Sequence, residues 1–164
     1  MKIVNKPTTF SLAELNLGTS DSAKIFGFLS AENRSEYKEG YQEPSDVISY
    51  IRNGIPKLAV NAVLEKTGVS RLQLSNILHI STRQLNRYED QDRLSVEQSN
   101  FLYEFTRLYI RCLNVLGDKQ TVDKWLSRPN LALGEKSPLE LLDTIEGFRL
   151  VDDVLAQVEY GFYS

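Results

Sequence analysis

Four serine-led tetrapeptides constrain this chain more than any other feature. Ser70-Arg71-Leu72-Gln73, Ser81-Thr82-Arg83-Gln84 and Ser95-Val96-Glu97-Gln98 place Gln three residues after Ser, and Ser137-Pro138-Leu139-Glu140 places Glu there. In such a capping box the serine oxygen accepts the third helical N–H, and the Glu or Gln side chain returns to the serine N–H. Two donors that a helix start leaves orphaned are thereby satisfied, and proline suits the first helical position because it lacks one of them. One match is weak; four, each opening an amphipathic run, mark helix starts. β-branched residues never alternate over a strand's length, so the chain reads as all-α.

From these starts a map follows. Helices are expected over 45–53 (stopped by Gly54), 56–66, 71–78, 82–90 and 96–116, the last ending at Gly117. In the long helix Phe101, Leu102, Phe105, Leu108, Tyr109, Cys112, Val115 and Leu116 step by three and four, as one buried stripe requires. Asp118 caps a helix holding Val122, Trp125 and Leu126, which Pro129-Asn130 breaks. A short helix is expected over 138–143 and a last one over about 146–160, with Val151, Val154, Leu155 and Val158 buried. A short helix over 21–29 also fits, weakened by Gly27. The expected division is an N-terminal extension of open order over 1–44, a DNA-binding and dimerisation domain over 45–117, and a C-terminal domain over 118–164.

Bulk properties narrow the class. One cysteine, Cys112, excludes an internal disulfide framework, and in its apolar run it reads as a small core residue. No apolar stretch nears the ~18 residues of a membrane span, and residues 1–7 lack a signal peptide's apolar core. A soluble cytoplasmic protein is expected. The net charge of −3 means that any DNA footprint must be local, and that one copy would bind weakly without a second copy or a partner.

The residues from Val69 to Glu89 hold two short helices separated only by His79-Ile80-Ser81. Leu74, Ile77, Ile80 and Leu85 can form the apolar wedge that sets the crossing angle of a helix-turn-helix, whose second helix enters the major groove. The turn usually carries a left-handed glycine. His79 takes that place, and histidine is among the few residues enriched at positive φ. Ser81, Thr82, Arg83, Gln84, Asn86 and Arg87 are the candidate DNA contacts, with Arg71 as a backbone anchor. Arg pairs with guanine and Asn or Gln with adenine, and each can bind phosphate. The plain alternative is a solvated helix. Glu89, Asp90 and Asp92 would repel phosphate and should face away.

The segment Trp125-Leu126-Ser127-Arg128-Pro129-Asn130-Leu131-Ala132-Leu133-Gly134 continues through Ser137-Pro138-Leu139-Glu140-Leu141-Leu142-Asp143-Thr144 to Glu146-Gly147, and the chain ends Glu159-Tyr160-Gly161-Phe162-Tyr163-Ser164. Over residues 56–164 the chain resembles the Xre–MbcA–ParS antitoxin family, the partners of RES-domain toxins. The resemblance implies an Xre/Cro-like helix-turn-helix domain followed by a small helical toxin-binding domain. It implies an antitoxin that blocks the active site of an NAD-targeting toxin, forms a homodimer and represses its own operon by binding operator DNA. Toxin contacts would fall on Arg149, Tyr160, Gly161, Phe162, Tyr163 and Ser164. Many relatives carry more arginines in the recognition helix than Arg83 and Arg87.

The tail's physics agrees. Five residues from Tyr160 can extend roughly 17 Å, and aromatic rings make rigid interface anchors. The same rings could instead cover the chain's own core. From Arg128 onward three basic residues face seven acidic ones, a surface that suits a basic toxin pocket or plain solvation. The competing function is a stand-alone helix-turn-helix regulator without a toxin. No enzyme is expected: there is no phosphate loop, no metal-ligand spacing and no second histidine, and Asp152 and Asp153 diverge by about 100° on a helix. No metal, cofactor or small-molecule substrate is expected.

Overall fold

The computed structural model describes residues 21–30 and 44–161. Among these the helices run α1 (Asp21–Leu29), α2 (Pro44–Arg52), α3 (Lys57–Lys66), α4 (Arg71–Ile77), α5 (Thr82–Arg87), α6 (Val96–Leu116), α7 (Lys119–Ser127) and α8 (Ile145–Glu159), with 3-10 turns at Leu131–Leu133 and Pro138–Leu141. No strand forms among the described residues, only two isolated bridges, Pro56 to Arg93 and Asn130 to Lys136. The expected all-α class holds.

α6 is the axle. Both halves of its capping box close: Gln98 N–H donates to Ser95 Oγ at 3.1 Å and Ser95 N–H to Gln98 Oε1 at 3.0 Å. Gly117 ends it at φ +95°, a conformation that favours glycine. Of the expected stripe Leu102, Phe105, Leu108, Tyr109 and Cys112 are buried and Phe101, Val115 and Leu116 half-buried, and a second row, Tyr103, Thr106, Ile110 and Leu113, is buried as well. Elements pack on both sides: α1 and α2, and also α7 and α8. One hydrophobic cluster therefore runs from Ile25 to Leu155 and joins both halves of the chain.

The N-terminal helix is more than an extension. α1 buries Ile25, Phe26, Phe28 and Leu29, and the Phe26 ring meets Tyr50 edge-on at 5.0 Å and Tyr103 at 6.4 Å. Lys66 holds its C-terminal end, with Nζ donating to the carbonyls of Phe28 (2.7 Å), Ser30 (2.9 Å) and Gly27 (3.3 Å). A cation there satisfies orphan carbonyls and complements the helix dipole. Gly27 weakens the helix locally, but the apolar face it carries outweighs roughly 1 kcal/mol of propensity.

α5 is shorter than expected. It stops at Arg87, and Tyr88 is extended. The next residues are needed elsewhere. α3 starts at Pro56, which offers no side-chain cap, so Lys57 N–H donates to the Asp92 carbonyl (2.8 Å) and Leu58 N–H to the Asp90 carbonyl (3.0 Å). The segment 138–143 likewise makes a 3-10 turn, because Thr144 must be extended (φ −133°, ψ 150°) to cap α8.

Two carboxylates tie the C-terminal part to the rest. Asp123 on α7 accepts from Gly68 N–H (3.0 Å), Tyr109 Oη–H (2.8 Å) and Lys119 (2.5 Å). Burial, with help from Asp123, pushes the Tyr109 phenol well above its ordinary value. Asp152 on α8 pairs with Arg111 on α6 at 2.6 Å, and the same guanidinium reaches Glu159 at 3.3 Å.

Candidate functional site

The first surface is built on α4 and α5. Ser70 closes a full capping box with Gln73, which starts α4. At its end Ile80 N–H donates to the Ser75 carbonyl (3.1 Å) and His79 N–H to the Asn76 carbonyl (3.3 Å). This pair of bonds is a Schellman ending, which needs a left-handed residue between helix and exit. His79 supplies it at φ +55°, as expected for the turn position. Ser81 Oγ then accepts Gln84 N–H at 3.0 Å and starts α5, although Gln84 does not return the contact as its tetrapeptide predicts. Leu74, Ile77, Ile80 and Leu85 are all buried and form the expected wedge.

On this frame Arg71, Ser81, Arg83, Gln84, Asn86 and Arg87 are exposed, and Thr82 is half-buried. The structure brings two of them together: Arg71 Nη1 donates to Asn86 Oδ1 at 2.8 Å. The bond braces α4 against α5 and sets the amide's orientation. It leaves four guanidinium N–H groups on Arg71, and on Asn86 an NH2 and the carbonyl's second lone pair. Asp90 faces away from these residues: its carboxylate accepts from Asn61 (3.0 Å) and lies 3.7 Å from Lys57, both on α3.

The second surface is built by a series of local stops and starts. Asn130 Oδ1 accepts Ala132 N–H (2.9 Å), which starts the first 3-10 turn, and Gly134 leaves it at φ +67°. Glu140 accepts from the Ser137 N–H (2.7 Å) and hydroxyl (2.8 Å), and these bonds hold its carboxyl below the usual range. Thr144 Oγ1 accepts Gly147 N–H (3.0 Å) to start α8. A Cβ on Gly147 would lie 1.6 Å from the Leu141 carbonyl oxygen, so only glycine lets α8 pack this close to the preceding turn.

α8 buries Phe148, Val151, Val154 and Leu155. Its opposite face carries Ile145, Arg149, Asp153, Ala156 and Tyr160 at helical spacing. Ile145 is 65% exposed and Tyr160 71%, and Leu131 in the neighbouring turn is 83% exposed. Arg149 is exposed beside Glu146 at 3.1 Å. Of the expected toxin contacts the structure thus brings Arg149 and Tyr160 onto one stripe. Gly161, at φ +70°, turns the chain out of the helix. Phe162, Tyr163 and Ser164 lie outside the described residues. Ile145 and Leu131 escaped the sequence reading, which assigned neither a role. Also unforeseen was a bond from the turn of the helix-turn-helix to this surface: His79 Nε2 lies 2.6 Å from the Asp143 carbonyl oxygen.

Among the described residues no group of acidic, histidine or cysteine side chains could hold a metal ion, and no helix is long and apolar enough to cross a membrane. The architecture is that of a helix-turn-helix protein with an appended helical binding unit. Residues 46–107 match the antitoxin Xre-like helix-turn-helix domain, and residues 113–161 match the antitoxin Xre/MbcA/ParS C-terminal toxin-binding domain. The chain belongs to the Xre/MbcA/ParS family of antitoxins, regulatory proteins and not enzymes. It is similar to the antitoxin Xre of Yersinia enterocolitica, with 26% identity over 72% of this chain and 81% of that one. It is equally similar to a Prs ADP-ribosylating antitoxin of Sphingobium sp., with 26% identity over 78% of this chain and 87% of that one. A chain of the M. tuberculosis MbcT–MbcA toxin–antitoxin complex overlays 64% of this chain and 94% of its own length at TM-score 0.48 and 19% identity.

Proposed function

We propose that this antitoxin neutralises a cognate RES-domain, NAD-targeting toxin by filling its active site, and represses its own operon in the cytoplasm. The observation that carries the reading is the outer stripe of α8, where Ile145, Arg149 and Tyr160 are all exposed and lead into the aromatic tail. Ile145 and Tyr160 at its ends, with Leu131 in the neighbouring turn, leave apolar area exposed that suits a partner. The acidic excess beyond Arg128 complements a pocket built for an anionic dinucleotide. The Sphingobium relative is named for ADP-ribosylation, a reaction that consumes NAD.

Operator recognition is assigned to Arg83, Gln84, Asn86 and Arg87 on α5, with Arg71, Ser81 and Thr82 contacting the backbone. A net charge of −3 and two arginines on a six-residue helix give one copy few phosphate contacts, so a homodimer reading two half-sites is part of the proposal. Deleting residues 160–164 should release toxin activity while leaving the melting temperature unchanged. Full neutralisation by the truncated chain would exclude the tail mechanism. The Arg83→Ala/Arg87→Ala variant should lose operator binding, by about 1–3 kcal/mol for each base contact, and still capture the toxin. A stand-alone regulator would capture no neighbouring gene product in the first place.

A further inference from the structure

Granting the antitoxin reading above, we infer that His79 is a positioning residue that couples toxin binding on α8 to the DNA-reading helix α5, through its hydrogen bond to the Asp143 carbonyl. Asp143 directly precedes Thr144, the cap of α8, and His79 stands two residues before Ser81, the cap of α5. A bond of 2.6 Å thus joins the starts of the two functional helices across 64 residues of sequence. A carbonyl only accepts, so Nε2 carries the proton and donates.

A second path runs beside it. The His79 ring packs on Phe101 at 4.8 Å, and Phe101 meets Phe148 on α8 at 6.1 Å. Around the bond the two units do not close on each other. A groove of about 680 Å³ separates Asn76 and Ser81 on one wall from Lys136 and Glu140 on the other, and the buried Ser75 hydroxyl lining it has no partner. If the start of α8 shifts when a partner seats on its outer face, the bond must either break or draw the turn with it. The turn leaves little slack, because His79 sits at φ +55° within a two-bond Schellman ending. Glycine would adopt that φ without strain. A histidine there adds reach to the Asp143 carbonyl, which glycine cannot provide. Whatever affinity change the toxin imposes on DNA, DNA imposes on the toxin.

The test uses the full-length chain, a fluorescent duplex of the DNA upstream of its own gene, and the product of the neighbouring toxin gene. Anisotropy gives the DNA dissociation constant with and without saturating toxin. The wild-type ratio is expected to differ from one by about fivefold or more. His79→Gly and His79→Asn both tolerate the left-handed turn. Each should keep the free-chain DNA affinity, and in each the ratio should collapse to one. A variant that folds by circular dichroism and keeps the wild-type ratio overturns the coupling, as does a wild-type ratio of one. Should the wild type bind neither duplex nor toxin, the antitoxin reading itself falls, and the role of His79 with it.

Discussion

Replacing Gly147 by alanine should destabilise this protein, although the usual sign of Gly→Ala inside a helix is the opposite. Propensity alone favours alanine by roughly 1 kcal/mol. Against that, the new Cβ would stand 1.6 Å from the Leu141 carbonyl oxygen, 2.6 Å from its carbon and 3.0 Å from Thr144 Oγ1. Two of the three obstacles are backbone, so no rotamer change relieves them. The Pro138–Leu141 turn and α8 must separate by well over an ångström, which opens the seam sealed by Leu139, Leu142 and Phe148 and strains the Thr144 cap. Overpacking of this kind costs about 1–3 kcal/mol, and the part-lost cap roughly offsets the propensity gain, so the net loss is about 1–3 kcal/mol. For a chain of this size that corresponds to a melting temperature lower by roughly 2–12 °C. Differential scanning calorimetry reads it directly, and toxin capture should weaken in parallel because α8 is displaced. A Gly147→Ala chain melting at or above wild type would refute the close-approach reasoning.

Lys66→Met should release the C-terminal end of α1: losing charge-assisted bonds to three carbonyls costs about 2–3 kcal/mol, and hydrogen exchange of the α1 amides should accelerate while α6 stays protected. Unchanged protection of α1 would show that its apolar face alone holds it. The Glu140 and Asp118 carboxyls are held low by N–H and hydroxyl donors from Ser137 and Thr121 respectively. Their contribution is therefore complete above the unfolded carboxylate range and is lost as pH falls through the lowered values. Melting temperatures should drop on acidification below about pH 4.5, and less steeply in Asp118→Asn/Glu140→Gln; identical slopes would count against these caps. Burial pushes the Cys112 thiol up to about 12, so a disulfide reagent at neutral pH should label it only after unfolding. Rapid labelling of the native chain would contradict its place in the core.

Much of the signature that makes the C-terminal half recognisable turns out to be helix punctuation. Asn130, Gly134, Ser137, Pro138, Glu140, Thr144 and Gly147 each start, stop or closely pack a turn. Together they position α8.

Capping is local, a matter of residues three apart. For that reason the starts of α4, α5, α6 and α7 and the left-handed turn at His79 could be read from the chain before any contact was known. Apolar spacing likewise announced the wedge of the helix-turn-helix and the inner face of α8. Other features depend on partners far away in sequence, and tertiary structure alone decided them. α5 ends at Arg87 because α3, which lacks a side-chain cap, takes the carbonyls of Asp90 and Asp92. α1 is held because Lys66 and the second face of α6 receive it. His79 meets Asp143 because α6 and the C-terminal turns bring them together across the groove. No periodicity records such pairings, since each side chain's local pattern is complete without them.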